Sequence, residues 1–438
     1  MLVIGAGIAG LAAAERLGRA GLKVQVIEAR GRIGGRILSL PSLVPEHAIE
    51  LGAEFVHGTP RQFTKYLQEH GLKLRETAGQ NYCADQNRLS PCEAPDLVVF
   101  DTLARLNPEV VASETFEESL RSRFAAVPDE AKEWARSYVQ GFHAADTSRI
   151  GTQSIVIDAR AEEETGGDRA FHIVGGYSRV IESLRSGLAK TVTIRTGSVV
   201  RSVNWRAGRV TVSADTFGEQ HALFDAKQLI VTLPLGVLQA KAPAAGAVSF
   251  DPPLKEKLDA LSRLAMGHVT RIVLQFKSPF WEGHRSMADR GLKDMHFLFT
   301  KDDTFPTFWT AMPLRLPILV AWAAGPLAST KGSASQQEVE SLALTALARI
   351  LSVPAKAVHD RFVRSFFHDW QNDLFSLGAY SYVLAGGIGA QEELARPLCN
   401  TLFFAGEATQ GDGQHATVHG AFASGVRAAS ELLSGDGR

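Results

Sequence analysis

Apolar and polar positions fall into short, separable patterns along this chain. Residues 1–4, MLVI, are an apolar run of buried-strand length, followed by the glycine-rich stretch GAGIAG. LAAAERLGRA consists of strong helix formers and is stopped by Gly21, and KVQVIE reads as a second strand. Residues 1–28 therefore make one βαβ unit. From roughly residue 61 to 165 the pattern turns polar and helical, with apolar positions at helical spacing in PRQFTKYLQEHGLK and PDEAKEWARSYVQGFHAAD. A glycine turn then feeds an amphipathic helix in FHIVGGYSRVIESLRSGLAK. Short strands follow in VTIRTGSVVRSVNWRAGRVTVSAD and AKQLIVTLPLGVL. Residues 240–393 mix strands such as TRIVLQF and PILVAWAAG with the helix SQQEVESLALTALARIL. NTLFFAGEAT and HATVHGAFASGVRAASELL close the chain as strand, turn and helix. This order predicts one domain built discontinuously from the first, middle and last segments, with the intervening segments forming another.

Totals narrow the class without naming it. A length of 438 residues points to two domains, and 45% hydrophobic with 21% charged residues is ordinary for a soluble enzyme. A net charge of −1 provides no global field for nucleic acid or an anionic membrane. No apolar run reaches the roughly 18 residues of a spanning helix. Cys83, Cys92 and Cys399 are odd in number and irregular in spacing, so neither a disulfide framework nor a structural metal is expected. Because residues 1–4 are already strand, no signal peptide is read. The strand starts earlier than usual, which leaves room for a few residues or a longer leader upstream, and the cytoplasm is the default expectation.

The chemistry begins at Gly5-Ala6-Gly7-Ile8-Ala9-Gly10. The first glycine permits a tight turn, the second lets the backbone approach a pyrophosphate, and the third lets helix and strand pack closely. Phosphates then meet the helix N-terminus, where free N–H groups and the dipole favour anions. Glu28 ends the next strand at the expected interval of about 20 residues, where a carboxylate takes ribose hydroxyls and disfavours a 2′-phosphate. That argues against NADP and leaves NAD and FAD open. ARGRIGGR follows, with Ala29, Arg30 and Arg32, then Gly34 and Gly35 for close backbone approach and Arg36 as a fork for phosphate oxygens. Arg32 reads equally as a solvated loop residue.

With GAGIAGLAAAERL…VIEARGRIGGR, LGAEFVHG, IVTLPLGVL, HDWQNDLFSLGAYSY and LFFAGEAT…TVHGAFASGVRAA in family order, the sequence resembles the flavin-containing amine oxidases. That family includes monoamine oxidases, polyamine and spermine oxidases, L-amino-acid oxidases and lysine-specific histone demethylases. The resemblance implies an α/β fold: a discontinuous Rossmann-type FAD-binding domain from 1–60, 168–238 and 394–438, and an α+β substrate-binding domain with a helical lid from 61–167 and 239–393. It implies FAD, with adenosine on Glu28 and pyrophosphate between the first turn (Gly5, Gly7, Ile8, Ala9, Gly10) and Arg36. Gly52, Ala53, Glu54 and Phe55 would pass close to the isoalloxazine, and the Val200 backbone would meet the adenine. Gly406 and Glu407 would lie beside the pyrophosphate. Val418 would bring a helix N-terminal N–H to the flavin pyrimidine edge, where reduction places negative charge.

Four residues carry the expected substrate chemistry. Tyr380 matches the aromatic position beside the flavin, and Thr417 stands where monoamine oxidases place a second tyrosine. His57 matches a histidine near the substrate amine, and Trp370 reads equally as packing or pocket. Ala379 replaces the cysteine that bonds the flavin in monoamine oxidases, so FAD is expected to be non-covalent. Arg271 occupies the family's lysine position, where the side chain holds a water against flavin N5 and assists reaction with oxygen. Arginine can hold a water but cannot shuttle a proton, which suggests slow oxygen reactivity. The implied reaction is oxidation of an amine C–N bond to an imine, hydrolysed by water, with O2 reduced to H2O2 and no protein nucleophile. Rival readings are an L-amino-acid oxidase, a flavin desaturase using an acceptor other than O2, and a weakly catalytic scaffold. The specific amine and the oligomeric state stay open.

Overall fold

A computed structural model describes the chain except for residues 86–87, 93–97, 217–218, 242, 284–290, 333 and 436–438. The βαβ unit is as the pattern predicts: Leu2–Ile4, Ile8–Arg19 and Val24–Ile27. These strands join a parallel five-stranded sheet in the order Val192–Arg195, Val24–Ile27, Leu2–Ile4, Leu229–Val231, Leu402–Phe404. Its members come from the start, middle and end of the chain; all are short, and all but the edge strand Val192–Arg195 are buried because helices or a further sheet cover both faces. The chain's last helix, Val418–Ser434, packs along Ile8–Arg19. The approach is so close that a Cβ on Gly425 would lie 2.1 Å from the Ala9 carbonyl oxygen.

A seven-stranded mixed sheet forms the second layer, ordered Phe362–Phe367, Val269–Phe276, Ile318–Ala324, Thr307–Thr310, Met295–Thr300, Gln80–Asp85, Arg88–Pro91. All eight residues of Val269–Phe276 are buried, and strand alternation sorts them. Ile272, Leu274 and Phe276 pack into the cluster with the Gln336–Ile350 helix, while Arg271 and Val273 point to the opposite face with Trp309 and Trp322. Ser335 starts that helix with a capping box closed by Glu338.

The stretch from 61 to 165 is less helical than its pattern suggests. It holds Arg61–Glu69, Asp129–Phe142 and Thr152–Thr165 as helices, but also the strands Leu74–Glu76, Gln80–Asp85 and Arg88–Pro91. Leu74–Glu76 and Gln80–Asp85 are recruited by strands distant in sequence, which local periodicity does not register, and Arg88–Pro91 folds back on Gln80–Asp85 as a hairpin. The expectation of unbridged cysteines is also corrected. Cys83 and Cys92 form a disulfide across the hairpin, with Cα atoms 5.0 Å apart, because the register sets Cys83 opposite Ser90. Cys399 is a free, exposed thiol. Among the described residues, no helix is long and apolar enough to cross a membrane, and no His, Cys, Asp and Glu group could hold a metal ion.

Candidate active site

One cavity of about 2170 Å³ lies between the two sheet layers. Small-ligand pockets run to roughly 300–1,000 Å³, so this space has room for a dinucleotide and a substrate together.

At the dinucleotide end, each glycine shows its reason. Gly5 has φ +99°, and a Cβ there would sit 2.5 Å from Thr232 Oγ1; a Cβ on Gly10 would meet the Gly5 oxygen at 2.0 Å. Gly7 caps the Ile8–Arg19 helix and bridges to Gly34, and a Cβ on Gly35 would lie 3.2 Å from Gly7 Cα. The two glycine loops therefore touch, and Ile8 and Ala9 present the helix start to the cavity. Glu28 is 3% exposed; its carboxylate accepts from Ala6 N at 2.7 Å and Arg30 N at 2.9 Å. Ala29 and Val200 border the same end. These first-turn donors, the glycine backbone and the oriented carboxylate fit an adenine dinucleotide.

Arg30 is engaged by Asp373 and Ser376 and lies over Phe375. Arg36 donates to Ala379 O at 2.7 Å and Glu407 Oε1 at 2.9 Å. The other Glu407 oxygen accepts from Ser381 Oγ at 2.6 Å and Ala416 N at 3.2 Å. Burial alone would raise the Glu407 carboxyl, but the Arg36 charge and the Ser381 and Arg36 hydrogen bonds hold it below the usual carboxylate range. Glu407 thus ties the Arg36 loop to the segment carrying Tyr380 and to the start of the last helix. Gly406, with φ +132°, turns the chain into this carboxylate. Gly52 admits no side chain, since its Cβ would be 1.8 Å from the Arg36 oxygen. Trp370 donates to Leu51 O at 2.6 Å, and its ring edge borders the cavity, so it both packs and lines.

At the other end, Tyr380 Oη donates to Phe142 O at 2.9 Å, which fixes the ring. His57 packs edge-on against Phe142, with centroids 5.3 Å apart, and burial pushes its pKa down to about 4, so the imidazole is neutral at physiological pH. Thr417 borders the cavity, but its hydroxyl is committed as a helix cap. It accepts from Gly420 N at 2.9 Å and donates to Gln414 O at 2.6 Å, leaving its methyl for the wall. Val418 is the first residue of that helix and also borders the cavity.

Two placements add to the sequence reading. Glu54 and its neighbours Gly52, Ala53 and Phe55 line the cavity, but the Glu54 carboxylate is paired with Arg271 at 2.7 Å and with Trp309 Nε1 at 2.9 Å. Arg271 also donates to Gly52 O at 3.2 Å, so each terminal nitrogen makes one hydrogen bond to the Gly52–Phe55 loop. Each terminal nitrogen keeps a second N–H, and Nε is buried without an acceptor, so the guanidinium retains donors beyond this pairing.

The pattern reading missed a third wall. Trp134, Tyr138 and Phe142, at i, i+4 and i+8 on Asp129–Phe142, stack with centroids 5.6 and 5.3 Å apart and lead to His57. Facing the same cavity, Asp158 and Glu162 lie one turn apart on Thr152–Thr165. Asp158 is flanked by His415 at 3.4 Å and His143 at 3.7 Å. Burial raises Asp158 to about 6 despite His415; burial and the neighbouring Asp158 raise Glu162 to about 8. The available signals were the i, i+4 acids in IDARAEEET and the i, i+4, i+8 aromatics in EWARSYVQGF.

Comparison with known proteins agrees with this geometry. Residues 8–433 match the family described as flavin containing amine oxidoreductase. The chain is 27% identical over 476 residues to polyamine oxidase 3 of Oryza sativa subsp. japonica, covering 98% of this chain and 88% of that protein. It is 28% identical over 463 residues to lysine-specific histone demethylase 2 of Homo sapiens, covering 99% of this chain and 53% of the other. Among solved structures, putrescine oxidase bound to putrescine superposes with a TM-score of 0.79 at 21% identity, over 99% of this chain and 98% of that one. Cyclohexylamine oxidase from Brevibacterium oxydans IH-35A superposes with a TM-score of 0.77 at 19% identity, over 100% and 99% of the two chains. With the family match spanning nearly the whole chain and the cavity built as a dinucleotide site requires, this protein belongs to the flavin-containing amine oxidoreductases.

Proposed function

We propose that the protein oxidises the C–N bond of an aliphatic di- or polyamine to an imine, which water hydrolyses, with FAD held non-covalently and O2 reduced to H2O2. One observation supports a cationic substrate over an amino acid. Arg30, Arg36, Arg136 and Arg271, all bordering the cavity, are each engaged by a protein carboxylate, and only the exposed Arg105 among the arginines of the lining has no ion pair among the described residues. The Glu162 carboxylate borders the cavity with neither an ion pair nor a hydrogen bond among the described residues. Non-covalent FAD is supported by Ala379 before Tyr380, and by the only free thiol, Cys399, lying outside the cavity lining.

Bound in this cavity, FAD supplies the two-electron acceptor for the hydride leaving the carbon beside nitrogen. Tyr380, Phe142 and neutral His57 make a wall that excludes water and adds no charge against a neutral amine. The Thr417-capped helix start borders the cavity, and its dipole would favour the negative charge that flavin reduction builds.

Product analysis tests the reading. Air-saturated turnover of putrescine or spermidine should yield H2O2 and aldehyde in equal amounts, whereas turnover of L-amino acids alone would contradict it. Glu162→Gln should raise KM for these amines by about tenfold, the scale of a charge-assisted hydrogen bond, with kcat little changed. Because Glu162 ionises only as pH rises through about 8, kcat/KM in the wild type should gain there, and the substitution should remove that part of the pH profile.

A further inference from the structure

The ion pair of Glu54 with Arg271 is buried beside the Gly52–Phe55 loop. Glu54 is 9% exposed and Arg271 5%. Glu54 Oε2 accepts from Arg271 Nη2 at 2.7 Å and Trp309 Nε1 at 2.9 Å, and His172 Nε2 lies 3.3 Å from Oε1. The guanidinium rests 5.4 Å from the Trp309 ring centroid. Burial would raise the Glu54 carboxyl, but Arg271 and His172 outweigh it and hold the group well below the usual carboxylate range. Both residues border the main cavity and, beyond it, a small cavity walled also by His47 and Glu50. Burial pushes His47 and His296 down to about 4, so both are neutral at physiological pH, and it raises Glu50 to about 7. Arg271 therefore sits at the flavin loop Gly52–Phe55 as a cation whose charge is cancelled locally, with one buried donor, Nε, still lacking an acceptor.

We propose that Glu54 is a positioning residue that holds Arg271 charge-compensated beside the flavin, and that this compensation slows reoxidation by O2. Reoxidation is FADH⁻ + O2 + H⁺ → FAD + H2O2, and its first electron transfer places negative charge on oxygen. A lone buried cation would stabilise that charge and the anionic reduced flavin, whereas a compensated pair presents only a dipole. The inference rests on the proposed cofactor, not on the substrate.

The test uses purified holoenzyme reduced anaerobically with dithionite, so it is independent of whether an amine is oxidised. Glu54→Gln keeps the shape and removes the charge. The flavin midpoint potential should become more positive, and reoxidation on mixing with O2 should be about tenfold faster. The double variant Glu54→Gln with Arg271→Met carries neither charge, and its potential should return close to wild type. A single variant with an unchanged potential, or a double variant shifted as far as the single, would overturn the proposal. If Glu54→Gln does not retain FAD, Glu54→Asp loosens the pair and should shift the potential the same way by less; no shift overturns the idea. Purified protein that neither contains nor binds flavin would overturn the cofactor reading and this proposal with it.

Discussion

Gly10→Ala should purify colourless. The added methyl would lie 2.0 Å from the Gly5 carbonyl oxygen and 3.2 Å from Thr232 Oγ1. The first of these is backbone in the turn itself, so it cannot swing aside as a side chain would. Relief requires the Ile8–Arg19 helix to move off the Leu2–Ile4 strand, which pulls the first-turn donors away from the phosphates. A loss of roughly a hundredfold in FAD affinity, about 2.7 kcal/mol, is the expected scale. Bound flavin per chain and the Kd for added FAD measure it. Gly21→Ala is the control: it also adds a methyl at positive φ, +82°, but meets nothing within 4 Å. It should cost about 1 kcal/mol of stability and leave the protein yellow.

Glu407→Ala is the second large effect. The carboxylate binds Arg36, Ser381 and Ala416 at once, and removing it leaves the Arg36 cation and three donors (Ser381 N, Ser381 Oγ and Ala416 N) without their acceptor. Breaking a buried pair from one side costs about 3–5 kcal/mol. Denaturant unfolding of the apo-protein should show that loss, and FAD should bind weakly because Arg36, Tyr380 and Thr417 lose their common tether. Glu407→Gln, which can still accept from Ser381 and Ala416, should recover part of the stability but not the ion pair. Equal stability of wild type and Glu407→Ala would mean the carboxylate does not join these segments.

How much of this was legible in the sequence depended on distance along the chain. Gly5, Gly7, Gly10 and Glu28 were readable because turn, helix and acid sit within one βαβ unit, and their constraints are local. Tyr380 and His57 were readable only through resemblance, since an isolated aromatic or histidine has no periodicity of its own. The Glu54–Arg271 pair was not readable: its partners are 217 residues apart, and only the sheet carrying Arg271 brings them together. Thr417 was read as a wall, but whether a threonine caps a helix or faces a ligand depends on where the helix starts, and assigned boundaries shift by a residue or two. Cys83 and Cys92 looked unrelated because their bridge follows hairpin register rather than a metal or framework spacing. Asp158 and Glu162 did show helical spacing, but only the fold reveals that this face borders a cavity rather than solvent.

Anaerobic titration of the yellow holoenzyme with putrescine or spermidine tests the central claim most directly. The account predicts that the amine bleaches the bound flavin completely at equimolar amounts, and that acid precipitation of the same protein releases free FAD. A flavin that stays oxidised with every amine, or that only an amino acid bleaches, would contradict it.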